Sequence, residues 1–99
     1  MLHHILVKWN EGEDRAALLE AVRALFAEAT AVPGVGEVQV IPNVIPRPNR
    51  YDLMIVLTLP ADALPGWDAS ELHRRWKAVY GDRIASKAIF DCEEGAKTL

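Results

Sequence analysis

Leu2 to Trp9, LHHILVKW, sets His3, Ile5, Val7 and Trp9 on one side of an extended chain and His4, Leu6 and Lys8 on the other, because successive strand side chains point to opposite faces. Tyr51 to Leu59 divides the same way, with Tyr51, Leu53, Ile55 and Leu57 against Asp52, Met54, Val56 and Thr58. Both segments are largely apolar on both faces, the pattern of strands covered from two sides. Between them, Leu18, Val22, Leu25, Phe26 and Ala29 recur at helical spacing after Asp14, a capping residue. This predicts a helix from Asp14 to about Thr30, stopped by Pro33-Gly34. Val35 to Val44 reads as a strand whose Pro42 cannot donate to a ladder, which puts it at a sheet edge.

Pro60 ends the central segment, and Ala61 to Trp67 reads as a turn or short helical piece. Asp68-Ala69-Ser70-Glu71 has capping-box spacing, with Asp68 as N-cap. The helix it opens carries Leu72, Trp76 and Val79 on one side and closes at Gly81 as C′. Ile84 to Cys92 is a mixed edge strand, and residues 93–99 form a polar tail outside a single domain of residues 1–92. The order β-α-β-β-α-β is that of an α+β, ferredoxin-like fold: an antiparallel four-stranded sheet, strands one and three central, both helices on one face. The other face then lacks cover within the chain. A second copy packed sheet to sheet, making a dimeric α+β barrel, would hide it.

The 51% hydrophobic content is high for 99 residues and agrees with such a homodimer. A net charge of -3 with interleaved signs argues against nucleic acid and anionic membranes as partners. Arg74, Arg75 and Lys77 read as the solvated side of the second helix. Cys92 is the sole cysteine, so no internal disulfide forms, and no Cys/His spacing suggests zinc. No apolar run reaches membrane-spanning length and no signal peptide shows, so a cytoplasmic location is expected. Phosphate-binding, nucleophile-elbow, haem and flavin motifs are absent from the sequence, so no cofactor and no metal is expected.

Chemistry concentrates on His73, at the border of the apolar stripe of the second helix. Imidazole takes and returns a proton near neutral pH, so His73 is the candidate general acid/base. The competing reading is a half-buried histidine covering the core edge. His3 lines the same space if its face is the helix-covered one; the competing reading is a buried histidine hydrogen-bonded to a neighbour. Ile5, Leu53, Trp67 and Trp76 are the expected pocket lining. Asp52 on a central strand needs a partner, for which Lys8 and Lys87 are the candidates.

The opening HHILVKW, Pro33-Gly34-Val35, the run RPNRYDLMIV and the closing Ile89-Phe90-Asp91 resemble the stress-responsive A/B barrel (Dabb) family over Leu2 to about Asp91. The resemblance implies two ferredoxin-like subunits packed sheet to sheet as a closed barrel. Members include stress-induced plant proteins, bacterial proteins of unassigned role and a plant polyketide cyclase that works without a cofactor. The cyclase's general-base histidine matches His73 and the first-strand histidine of the family matches His3. Its tyrosine position is Trp67 here, and a polar pocket position is Leu53. The implied function is binding of a small apolar or carbonyl compound between sheet and helices, with cyclase-, isomerase- or lyase-like acid/base chemistry. The alternative is a non-catalytic barrel with a structural or stress-protective role.

Overall fold

The computed structural model describes residues 1–95. Its sheet has the order β2-β3-β1-β4, built from β1 (Leu2–Trp9), β2 (Glu37–Pro42), β3 (Leu53–Thr58) and β4 (Ile84–Cys92). All three pairings are antiparallel. The helices are α1 (Arg15–Phe26), the one-turn α2 (Leu64–Asp68) and α3 (Glu71–Tyr80). The fold is therefore the α+β, ferredoxin-like arrangement, with β1 and β3 central and β2 and β4 at the edges. A thickness of 18 Å leaves room for one sheet and one helical layer. The tail expected over residues 93–99 lies outside the described residues from 96 onward.

Register decides which side chains share a face. Val7 pairs Leu53, Ile5 pairs Ile55 and His3 pairs Leu57, and all six are buried. Onto this face pack Leu18, Val22, Leu25 and Phe26 of α1 and Leu72, Trp76 and Tyr80 of α3. The opposite face carries Leu6, Ile41, Met54, Val56, Ala88 and Phe90 by the same register. Nothing within the described residues forms a layer over it, and Phe90 is 62% exposed. Gly34 sits at φ +91°, and a Cβ there would stand 2.5 Å from the Ala63 side chain, so the turn into β2 needs its bare backbone.

Several local expectations are corrected. Asp14 does cap α1, its Oδ1 accepting from Ala17 N–H, but the helix ends at Phe26 and continues as a 3-10 turn over Ala29–Ala31. Asp68 does not cap α3: Ser70 does, its Oγ accepting from His73 N–H at 3.1 Å while donating to the Trp67 carbonyl at 2.7 Å. The short α2 consumes Asp68 as its last residue, which moves the cap two positions along. Gly81 is right-handed at φ -53° and leads into a 3-10 turn, so it is no left-handed C′ residue. Val79 is exposed; Tyr80 takes the buried place, ring to ring with Trp76 and Trp9 at 5.2 and 6.2 Å. Asp52 pairs with neither expected lysine. Its Oδ1 accepts from Arg15 Nε at 2.9 Å and its Oδ2 from Trp9 N–H at 2.8 Å.

Loss of the cap hydroxyl in Ser70→Ala should cost about 1 kcal/mol in urea unfolding. Asp68→Ala should cost less than half of that; the reverse order would return the cap to Asp68.

Candidate functional site

Alternation along β1 places His3 and Ile5 under the helices, and β4 pairs His3 with Asp91 and Ile5 with Ile89. α3 lies over this end of the sheet, so His73 and Trp76 face the same region. The result is a cleft of about 280 Å3 whose polar lining is His3, Asp68, His73, Lys87 and Asp91, with Ile5, Leu64, Trp76 and Ile89 as its apolar walls. Four of the six residues singled out from sequence, His3, Ile5, His73 and Trp76, meet here.

Leu53 and Trp67 are corrected as lining residues of this cleft. Leu53 pairs with Val7, four residues along the strand from the Leu57 that pairs with His3, or about 13 Å at strand rise. It lines a separate, larger groove at the other end of the sheet. Trp67 is fully buried and stands behind His73, its ring 5.5 Å from the imidazole in an edge arrangement. Its Nε1 has no hydrogen-bond partner among the described residues.

Each histidine is held by one ring nitrogen. His73 Nδ1 lies 3.0 Å from the Asp68 carbonyl oxygen. A carbonyl only accepts, so Nδ1 carries the proton and neutral His73 keeps its lone pair on Nε2. Burial pushes its pKa below the ordinary 6.5; the Asp68 carbonyl and carboxylate oppose this, and Lys77 and Lys87 reinforce it. His73 is thus unprotonated at neutral pH, the form a general base requires. His3, buried, has Nδ1 2.5 Å from Asp91 Oδ1. The carboxylate fixes the proton on Nδ1 and orients the ring.

Asp91 is the residue that sequence reasoning passed over as a site member, although it closes the Ile89-Phe90-Asp91 motif. The usable signal was register: antiparallel pairing of the first and last strands sets it opposite His3. Among the described residues, no group of three His, Cys, Asp or Glu side chains is placed to hold a metal ion. No helix among them is long and apolar enough to cross a membrane.

No family model matches the chain, and no curated protein matches it in sequence. Solved structures match in fold. A Dabb family protein with a ferredoxin-like fold from Mesorhizobium loti superposes with a TM-score of 0.69 at 9% identity, covering 93% of each chain. A dimeric ferredoxin-like protein of unknown function from Thermobifida fusca gives 0.75 at 19%, covering 90% of this chain and 85% of its own. A hydroxynitrile lyase from Passiflora edulis gives 0.78 at 8%, covering 99% and 95%. The ferredoxin-like fold of a Dabb protein and of dimeric relatives is thus the fold of this chain.

Because the folded-state pKa of His73 lies below its unfolded value of 6.5, the unfolded chain binds the proton first. Stability should be unaffected above pH 6.5 and fall as pH drops through and below it. Histidine NMR titration should place His73 below 6.5, and Lys87→Met should move it upward. A downward or absent move would show that Lys87 does not act on the ring.

Proposed function

We propose that the cleft performs cofactor-independent acid/base chemistry on a small carbonyl compound. The observation that carries this reading is the His3–Asp91 pair in one cleft with a neutral His73. In this scheme His73 Nε2 takes a proton from the carbon next to the carbonyl, and the C–H electron pair passes into the C–C–O system. The oxygen that gains charge lies toward His3, whose ring Asp91 orients, and the Lys87 ammonium in the same cleft donates a hydrogen bond to it. Return of the proton to the same carbon, to a different one, or after bond formation or cleavage gives exchange, isomerase, cyclase or lyase outcomes. The cleft volume suits a small substrate, with Ile5, Trp76 and Ile89 against its apolar part. The fold shared with a hydroxynitrile lyase supports the lyase branch by analogy of fold alone. Trp67, without a hydroxyl, supplies no second proton relay.

Deuterium exchange next to the carbonyl of 4-phenylbutan-2-one, followed by proton NMR in D2O, tests the shared first step. The wild type should exceed buffer catalysis. His73→Ala should lose about 100-fold or more of that excess, and Asp91→Asn should lose part of it. A wild type no faster than buffer would overturn the reading.

The open sheet face supports a second element of the proposal: the chain is a homodimer joined through that face. Ile41 and Phe90 on it stay exposed in a single subunit, and burying one such side chain is worth about 1.5–3 kcal/mol. The same face supports a non-catalytic, structural or stress-protective barrel should the exchange test fail. Phe90→Asp, a change at a solvent-facing position, should leave the fold intact and convert the dimer to an 11.0 kDa monomer in sedimentation. A wild-type monomer at micromolar concentration would end the dimer proposal. We also propose placement in the cytoplasm, a setting that the sole cysteine, Cys92, and the lack of an internal disulfide fit.

A further inference from the structure

At the opposite end of the sheet from the histidine cleft, the loop from Asn43 to Arg50 arches over a groove of about 720 Å3. The loop is fixed rather than draped. Asn43 Nδ2 donates to the Ile45 carbonyl, Arg47 N–H donates to the same oxygen, and Arg50 N–H donates to the Arg47 carbonyl. Lys8 Nζ, reaching from β1, donates to the Pro48 carbonyl at 2.6 Å.

The charge in this groove runs against that of the chain. Lys8, Arg15, Arg47 and Arg50 line it, opposed by Glu11 and Asp52, in a protein whose net charge is -3. Arg15 and Asp52 satisfy one another, and Trp9 N–H takes the other Asp52 oxygen. Lys8, Arg47 and Arg50 have no carboxylate within 4.0 Å among the described residues. Arg50 donates to Asn49 Oδ1, and Lys8 has two N–H donors left after Pro48. Beside these cations the groove offers apolar surface at Leu19, Pro42, Val44 and Pro46, over the buried Trp9 and Leu53.

We propose that this groove binds a small carboxylic acid with an apolar body, its carboxylate between Arg47, Arg50 and Lys8 and its hydrocarbon part against Leu19, Pro42, Val44 and Pro46. Two guanidinium groups match the two oxygens of a carboxylate, a pairing stronger than a neutral hydrogen bond. The apolar floor discriminates against compact inorganic anions, which have nothing to bury. The site is separate from the histidine cleft and does not depend on the chemistry proposed there.

Octanoate is the probe, with octan-1-ol as its neutral counterpart. Titration into 15N-labelled protein should shift the amides of Trp9, Asn43, Arg50 and Asp52, and calorimetry should give an affinity that falls with salt. Arg47→Gln/Arg50→Gln, changes in a surface loop, should weaken octanoate tenfold or more while leaving the spectrum dispersed. His73→Ala should bind as the wild type does. Octan-1-ol shifting the same amides with equal affinity, an unweakened double variant, or octanoate shifts confined to the open sheet face around Met54 and Phe90 would each overturn the proposal.

Discussion

The antiparallel pairing of β1 with β3 is the constraint from which the other features follow. Once Ile5 stands opposite Ile55, every side chain on both strands is assigned a face, since a slip of one residue would invert them all. That assignment buries Val7, Ile55 and Leu57 beneath α1 and α3 and leaves Leu6 and Met54 half-buried and Phe90 exposed. It also carries a histidine into an otherwise apolar layer, where burial is tolerated because Asp91 on the next strand meets it.

The histidine cleft exists because the helical layer ends before the sheet does. Near β4 the register places Lys87, Ile89 and Asp91 on the covered face, yet all three remain exposed. The end of α2 and the start of α3 come in from above and bring Asp68 and His73 to the same gap. Two differently supported imidazoles result, one held by a backbone carbonyl and the other by a carboxylate. The support differs because one is presented by a helix just past a turn, whereas the other is presented by a strand with a paired neighbour.

Much of this was legible in the residues alone. Strand alternation over Leu2–Trp9 and the helical stripe from Leu18 to Phe26 are strong periodic signals, and element order with apolar content identified the central strands. The failures were local or long-range. Asp68 and Ser70 are both good capping residues, and which one wins depends on whether Leu64–Asp68 closes a helical turn first. Asp52 could not be matched to Arg15 because they are 37 positions apart and meet only when α1 is docked. Leu53 belongs to the correct strand and face, yet to its far end. A face assignment carries no information on distance along the strand until the partner register is known.

The three indoles also make the molecule its own optical reporter. Trp76 borders the histidine cleft and Trp9 borders the groove at the other end, while their rings lie 6.4 Å apart in one aromatic cluster. Trp67, sealed from solvent, shares Phe26 with Trp76 at 5.9 and 5.2 Å. Excitation energy will hop among rings so close, so occupancy at either end should perturb a common emission band. Intrinsic fluorescence would therefore register that something has entered the protein while blurring which door it used, and single Trp→Phe replacements at positions 9 and 76 would be needed to tell the two apart.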